Sequence, residues 1–338
     1  MTERTLDVLT VGEVLVDFVA PDAPDLAGAE TFLRTAGGAL GNVAAAVARL
    51  GGRAAIAGAV GADPFGTYLR QKLAEQGVIL HALRTVPERT TLAFVAQNRG
   101  SIPHFVFYRG ADATLRPEHV PVDLVASSRF VHLSSMALMS EPARSTTLQT
   151  AQAAHEAGTL VSVDPNLRPS SWPSVDAMLA SVEPLIGAAD ILKVNDVEAR
   201  LLAGADDLDA AMESMGRDDA LVVVTRGPEG CLWRWRGAAG QVESPHVEVA
   251  DTTGAGDAFI GALLAELSRA NAGPGFAGLS HDNLVSCLRF ACAAAALSCT
   301  KHGAMASLPH REEVLPAITD TPNGRLGTAH LPGGGDQG

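Results

Sequence analysis

Short β-branched runs alternate with amphipathic helical runs along most of this 338-residue chain, and that alternation decides its fold class. It is the pattern of a parallel sheet covered by helices. "DVLTVGEVLV" reads as a strand. "GNVAAAVARLGG" then puts Val43, Val47 and Leu50 on one helical face before Gly51 and Gly52 stop it. "AAIAGAVG" reads as the next strand, after which Asp63 and Pro64 offer a cap and a first-turn proline to "FGTYLRQKLAEQG", ended by Gly77. The middle breaks the pattern. "TTLAFVAQNRGSIPHFVFYRG" reads as a hairpin of two strands joined by a turn at Asn98 to Ser101, a candidate lid. Strand and helix then alternate again through "RFVHLSS", "TLVSVDPN", "DILKVN", "ALVVVTRG" and "HVEVADTTG". The tail from about Thr319 is rich in Gly and Pro without apolar period and reads as a flexible end. No repeat of fixed period is present.

Composition narrows the partners. A net charge of −13 argues against nucleic acid or an anionic membrane surface, so an anionic ligand would need a local positive field. Cys231, Cys287, Cys292 and Cys299 show no CxxC spacing, and three of them share one apolar segment, which fits buried free thiols in a reducing cytoplasm. Asp7, Glu13 and Asp17 interrupt the apolar N-terminal run, unlike the core of a signal peptide. No stretch approaches the length that spans a bilayer. None of the ten histidines shows paired metal-ligand spacing, so His132 and His302 read as packed or surface residues; Met136, Met139 and Met178 read as core filling.

In open α/β sheets ligands sit beyond the carboxyl ends of the strands. The residues there are small and polar: Asp17; then Asp164, Asn166 and Arg168; then Asn195 and Glu198; then Thr225 to Gly230; then Asp251 to Asp257. "DTTGAGDAF" stands between a predicted strand and the apolar helix "AFIGALLAELSR". Gly254, Ala255 and Gly256 would form a helix N-terminus whose bare amides approach an anion such as phosphate. Asp257 in the first turn admits two readings: an acid that mildly stabilises the helix, or a general base for a hydroxyl attacking phosphorus. Phosphoryl transfer to an alcohol needs both an anion hole and a base. Neither GxxxxGK[ST] nor a GK dipeptide occurs, which excludes a P-loop enzyme, and "GAGDAFIG" lacks the GxGxxG spacing of a dinucleotide fold.

"GGALGNVAAAVARLGGRAAIAGAVGADPFG" (37 to 66) and "DTTGAGDAFIGALLAEL" (251 to 267) resemble the two signature regions of the ribokinase-like, or PfkB-type, carbohydrate kinases. "FVFYRGADATL", "VHLSSMALMSEPARS", "DPNLRPSSW" and "ADILKVNDVEARLL" are similar to the fructokinase branch, and the resemblance spans about residues 6 to 310. It implies a three-layer α/β sandwich: a mostly parallel central sheet between helices, with a small β lid from about residues 13–36 and 88–114. One kinase domain would run from residue 1 to 318, with a tail at 319–338.

The resemblance also implies roles. Asp257 would be the base, with the Gly254, Ala255 and Gly256 amides as anion hole. Asp17, Gly38 and Asn42 would bind sugar hydroxyls, although Asn42 also reads as a helix N-cap. Arg109 would close over the sugar from the lid, and Arg168 would meet the sugar or the moving phosphate. Asn195 and Glu198 would organise Mg²⁺, largely through water, and ATP; the same pair is close to a capping box. Thr225, Gly227 and Gly230 resemble a nucleotide-binding turn, a plain glycine turn being the alternative. Asp251, Thr253, Ser298, Lys301, Gly303 and Ser307 would give oxygens to K⁺, and Cys292 stands near the adenine where many relatives carry Asn. The implied activity is ATP-dependent phosphorylation of a terminal hydroxyl of D-fructose. 2-keto-3-deoxygluconate, ribose and a nucleoside remain open as substrates, as does a non-catalytic sugar or nucleotide sensor. A homodimer through the lid would pair its exposed strand edges.

Overall fold

A computed structural model describes residues 4–20, 23, 25–96, 104–270 and 276–319. In its first part lie β1 (Leu6–Val11), β2 (Leu15–Ala20), β3 (Leu33–Gly37), α1 (Ala39–Arg49), β4 (Ala54–Gly61), α2 (Pro64–Glu75), β5 (Leu83–Val86), β6 (Leu92–Ala96) and β7 (His104–Tyr108). The middle holds α3 (Val122–Ala126), β8 (Ser128–Leu133), α4 (Ala143–Glu156), β9 (Leu160–Val163), α5 (Val175–Gly187), β10 (Ile191–Asn195), α6 (Asp196–Ala203) and α7 (Leu208–Ser214). The last part holds β11 (Leu221–Thr225), β12 (Cys231–Trp235), β13 (Ala238–Val242), α8 (Ala255–Arg269), α9 (His281–Ser298), α10 (Ala304–Ser307) and α11 (Arg311–Thr319).

Nine strands form one sheet in the order β13-β12-β11-β10-β9-β8-β1-β4-β5. Every pairing from β11 to β5 is parallel, and β12 and β13 add an antiparallel edge. Side chains alternate between faces: Val8, Phe130, Leu160 and Ile191 join the core under α1, α8 and α9, while Leu9, Val131, Val161 and Leu192 join the core under α4 to α7. This three-layer arrangement is the one expected. The helix punctuation agrees as well. Asp63 caps α2 by accepting from the Gly66 amide at 2.8 Å, Pro64 is its first residue, and Gly51 and Gly77 stop their helices at positive φ.

Two expected strands are corrected. "DVLTVGEVLV" is two strands, not one: β1 belongs to the large sheet and β2 to a separate sheet of order β3-β2-β6-β7. The chain changes sheet at Gly12 to Val14, where Gly12 has φ 145. "HVEVA" is no strand at all. Pro245 precedes it and Val249 is 59% exposed, so its alternation has no face to bury. The strands before α8 are instead the antiparallel β12 and β13. The small sheet supplies the expected hairpin, β6 against β7, while the turn at Asn98 to Ser101 lies outside the described residues, as does 320–338 of the tail. Among the described residues no helix is long and apolar enough to cross a membrane.

A Cβ on Gly261 of α8 would stand 2.6 Å from the Ala46 Cβ, so the glycine lets α8 lie close against α1. That close approach brings the first turns of the two helices together.

Candidate active site

α8 begins without a side-chain cap. Its N-cap Gly254 has φ 81, a conformation that glycine adopts freely, and an added Cβ would meet the Ala304 Cβ at 2.8 Å. Bulk is excluded at Gly256 as well, where a Cβ would fall 2.8 Å from the Lys193 ammonium. The small residues of "TGAG" thus answer partly to packing from behind. The expected trio of outward amides needs one correction. Ala255 donates to the Thr252 carbonyl at 3.2 Å and Ala258 to that of Gly254 at 2.8 Å, while Gly254, Gly256 and Asp257 have no backbone acceptor among the described residues. Those three amides sit at the positive end of a 15-residue helix.

Asp257 is buried and is held from the neighbouring helix. Asn42 Nδ2 donates to its Oδ2 at 2.8 Å, across 215 residues of sequence. This also settles the N-cap alternative for Asn42: Gly38 occupies the cap of α1, and Asn42 lies inside the helix with its Oδ1 buried and without a partner among the described residues. Burial pushes the Asp257 carboxyl up to about 6, against the pull of Asn42, Lys193 and Arg168. Burial raises Asp17 too, to about 7, with Asp257 adding repulsion and Arg168 opposing it. Asp17 stands within β2 of the small sheet, not after the first strand of the large one. A Cβ on Gly37, its neighbour in β3, would overlap the Asp17 carboxylate, so that glycine belongs to the site although only Gly38 was expected there.

Arg168 follows β9 and links the two sheets. Its guanidinium lies 5.2 Å from the Phe105 ring of β7 and donates to the Leu167 carbonyl at 3.0 Å. Arg109 departs from expectation: it pairs with Asp112 at 2.6 Å and donates to the Met136 carbonyl at 2.8 Å, bracing the root of the small sheet. Beside it, Glu13 at the crossing between the sheets is 3% exposed, with its Oε2 lacking a partner among the described residues and its carboxyl pushed by burial up to about 8. Neither Glu13 nor Lys193 was singled out from sequence. Glu13 reads from sequence only as an interruption of the N-terminal apolar run, and Lys193 only as one residue of the quoted "ADILKVNDVEARLL".

At the end of β10 Asn195 and Glu198 make a full capping box, with bonds of 2.8 and 2.9 Å, and the second oxygen of Glu198 accepts from the Leu167 amide at 2.6 Å. Burial and the repulsion of Asp164 raise the Glu198 carboxyl. Thr225 ends β11, and Gly227 (φ 55) begins a single 3-10 turn that Gly230 (φ 84) closes before β12. A Cβ on Gly230 would overlap the Val242 carbonyl, so the turn needs its glycine for structural reasons alone.

Of the six expected cation donors, the Asp251 carboxylate joins two segments: it accepts from Thr253 at 2.7 and 2.9 Å and from the Gly303 amide at 3.0 Å. Ser298 and Ser307 donate to carbonyls one turn back, and the Lys301 ammonium turns outward to Glu313 at 2.9 Å. Cys292 is 3% exposed, with its sulfur 3.8 Å from that of Cys231. The adenine contact expected of it has no exposed thiol to use. His132 is packed: its Nδ1 lies 3.0 Å from the Ser162 hydroxyl, and burial pushes it down to about 4.

The chain matches the pfkB family of carbohydrate kinases over residues 5–311. It is 38% identical to probable fructokinase-4 of Arabidopsis thaliana over 320 residues, 92% of this chain and 96% of that one. Its fold superposes with a TM-score of 0.83 on the ATP-bound fructokinase of Xylella fastidiosa, at 32% identity, covering 93% of this chain and 98% of that one. A double mutant of the Vibrio cholerae O395 fructokinase, solved with fructose, ADP and potassium ion, gives 0.81 at 30% identity, covering 94% and 100%.

Proposed function

Because the chain belongs to the pfkB family of carbohydrate kinases, we propose that it transfers the γ-phosphoryl group of ATP to a terminal hydroxyl of a free sugar, D-fructose before others. The observation that carries this reading is a buried carboxyl, Asp257, standing one residue from the open amide of Gly256 at a helix N-terminus. A base with a value near 6 is mostly ionised at neutral pH yet basic enough to accept a proton as the sugar oxygen attacks.

In this mechanism Asp17, Gly38 and Asn42 hold the sugar. Asn42 orients the Asp257 carboxylate by its Nδ2 and offers its unpartnered Oδ1 to a hydroxyl. The Gly256 and Asp257 amides, with the α8 dipole behind them, receive the charge of the transferring group. Arg168 adds a guanidinium from the other side, kept in place by Phe105. Phe105 and Asp17 lie on strands of the small sheet, so its closure would shed water from the acceptor and limit ATP hydrolysis. Arg109 contributes by fixing the root of that sheet.

Asn195 and Glu198 form an all-oxygen donor set that suits Mg²⁺ held through water, and Thr225, Gly227 and Gly230 would line the nucleotide. When bound, Mg²⁺ neutralises phosphate charge. Asp251, Thr253, Ser298, Gly303 and Ser307 offer oxygens that suit K⁺; Lys301 adds only its carbonyl, since its ammonium is engaged with Glu313. Residues 1–318 would form one kinase domain working in the cytoplasm. The small sheet ends in edge strands β3 and β7, where Leu33 and Tyr108 are each 62% exposed, and these edges suit a homodimer.

A coupled assay with ATP and fructose, 2-keto-3-deoxygluconate, ribose or a nucleoside tests the substrate. Fructose is expected to give the highest kcat/KM. A large excess for 2-keto-3-deoxygluconate would remove the fructose assignment, and no turnover with any of them would favour the sensor.

A further inference from the structure

Lys193 is a cation inside the protein rather than on its surface, its side chain 5% exposed. β10 sends it to the same face as Ile191, toward α8. Its Nζ lies 2.7 Å from Asp164 Oδ2 and would stand 2.8 Å from a Cβ placed on Gly256. The ammonium therefore fills the space directly behind the first turn of α8. Burial alone would push its pKa down, but Asp164, Glu198 and Asp257 outweigh that and hold it above the ordinary lysine value.

As a stabiliser such a pair is a poor choice, since apolar side chains of similar volume often do as well as a buried ion pair. Its position supplies a better reason. Asp257 is faced by Asn42 from α1, Glu13 from the crossing between the sheets, Asp17 from β2, Asp164 and Arg168 from the segment after β9, and Lys193 from β10. Three of these groups are carboxyls that resist a further negative charge. Asn42 favours it through a neutral hydrogen bond, and of the charged groups just named Arg168 and Lys193 do so, Arg168 being partly exposed and engaged with Phe105 and the Asn166 and Leu167 carbonyls.

We propose that Lys193, clamped by Asp164, is a positioning residue for phosphoryl transfer: from behind Gly256 it seats the first turn of α8 and keeps the Asp257 carboxyl ionised at neutral pH. The proposal rests on Asp257 as the base. It gives the two members of the pair opposite signs, because Lys193 favours the Asp257 carboxylate while Asp164 opposes it.

That sign difference is the test. The Asp257 carboxyl is followed by carbon-13 NMR titration in the protein without ATP or metal, its signal identified by its loss in Asp257→Asn. Lys193→Met is expected to raise the titration midpoint by about one pH unit, Asp164→Asn to lower it, and Lys193→Arg to leave it near its starting value. In kinetics, Lys193→Met loses about twofold in kcat/KM for the sugar at pH 7 and about tenfold near pH 5, and the difference closes as the pH rises above about 8. Midpoints that stay put, or that shift the same way in Lys193→Met and Asp164→Asn, would overturn the proposal. Should Lys193→Met fail to fold, Asp164→Asn and the double variant Lys193→Met with Asp164→Asn still decide: the first must fall and the second must return toward the starting midpoint. Absence of sugar phosphorylation by the unaltered protein would remove the kinase reading while the titration still judged the pair.

Discussion

α6 and α8 both start at the edge of the candidate site, and both carry an acid as their third residue. In α6 that acid, Glu198, turns back on its own helix: Asn195 and Glu198 exchange bonds of 2.8 and 2.9 Å, and the remaining oxygen holds the Leu167 amide. In α8 the cap is Gly254, which has no side chain to exchange, and Asp257 reaches across to Asn42 on α1 instead. One residue type at one helical position thus takes two roles. A side chain at the cap ties the acid to backbone amides, so that Glu198 would act on a cation only through water; a glycine there leaves Asp257 free to meet the acceptor hydroxyl. Burial raises both carboxyls, but two backbone amides steady the charge on Glu198, whereas Asp257 has one neutral donor.

The largest expected effect is on turnover at Asp257. Asp257→Asn is expected to lower kcat by about 10²–10⁴ in a coupled assay, with sugar affinity by calorimetry changed only a few-fold. Affinity lost in step with turnover would erase the contrast, because Asp257 would then be a binding residue first. Stability separates them in the other direction. Glu198→Ala leaves buried amides unsatisfied and is expected to lose about 1–3 kcal/mol in urea unfolding, while Asp257→Asn, which removes a charge that burial disfavours, leaves stability nearly unchanged or raises it. The smallest effect is expected at Asn42. Asn42→Ala removes the donor that steadies the Asp257 carboxylate and is expected to reduce kcat/KM near neutral pH about tenfold, with recovery at higher pH. A loss independent of pH would mean that Asn42 serves only the sugar.

What the sequence reveals depends on the range over which each feature is encoded. Helix caps such as Asp63 with Pro64, and stops such as Gly51 and Gly77, are decided within a few residues and can be read directly. The glycine spacing of "DTTGAGDAF" is equally local. The Asn42 to Asp257 bond joins positions 215 residues apart and becomes visible only when Gly261 lets α1 and α8 meet. "HVEVA" misleads because alternation encodes a half-buried strand only when a neighbour covers one face, and Val249 has none. The split of "DVLTVGEVLV" at Gly12 hides for a similar reason: both halves are apolar, and only the sheet each one joins differs. Lys193 reads as one cation in an apolar run until the fold sets it behind Gly256.

If Asp257 accepts the proton of the attacking hydroxyl, the pH dependence of kcat/KM for the sugar must report its titration. Below about 6 the carboxyl is protonated and has no room for that proton, so the rate is expected to fall about tenfold per pH unit on the acid side and to level off above. The limb should vanish from the residual activity of Asp257→Asn and persist in Asp17→Asn. An acid limb that remains unchanged in Asp257→Asn would take the proton-accepting role away from this carboxyl.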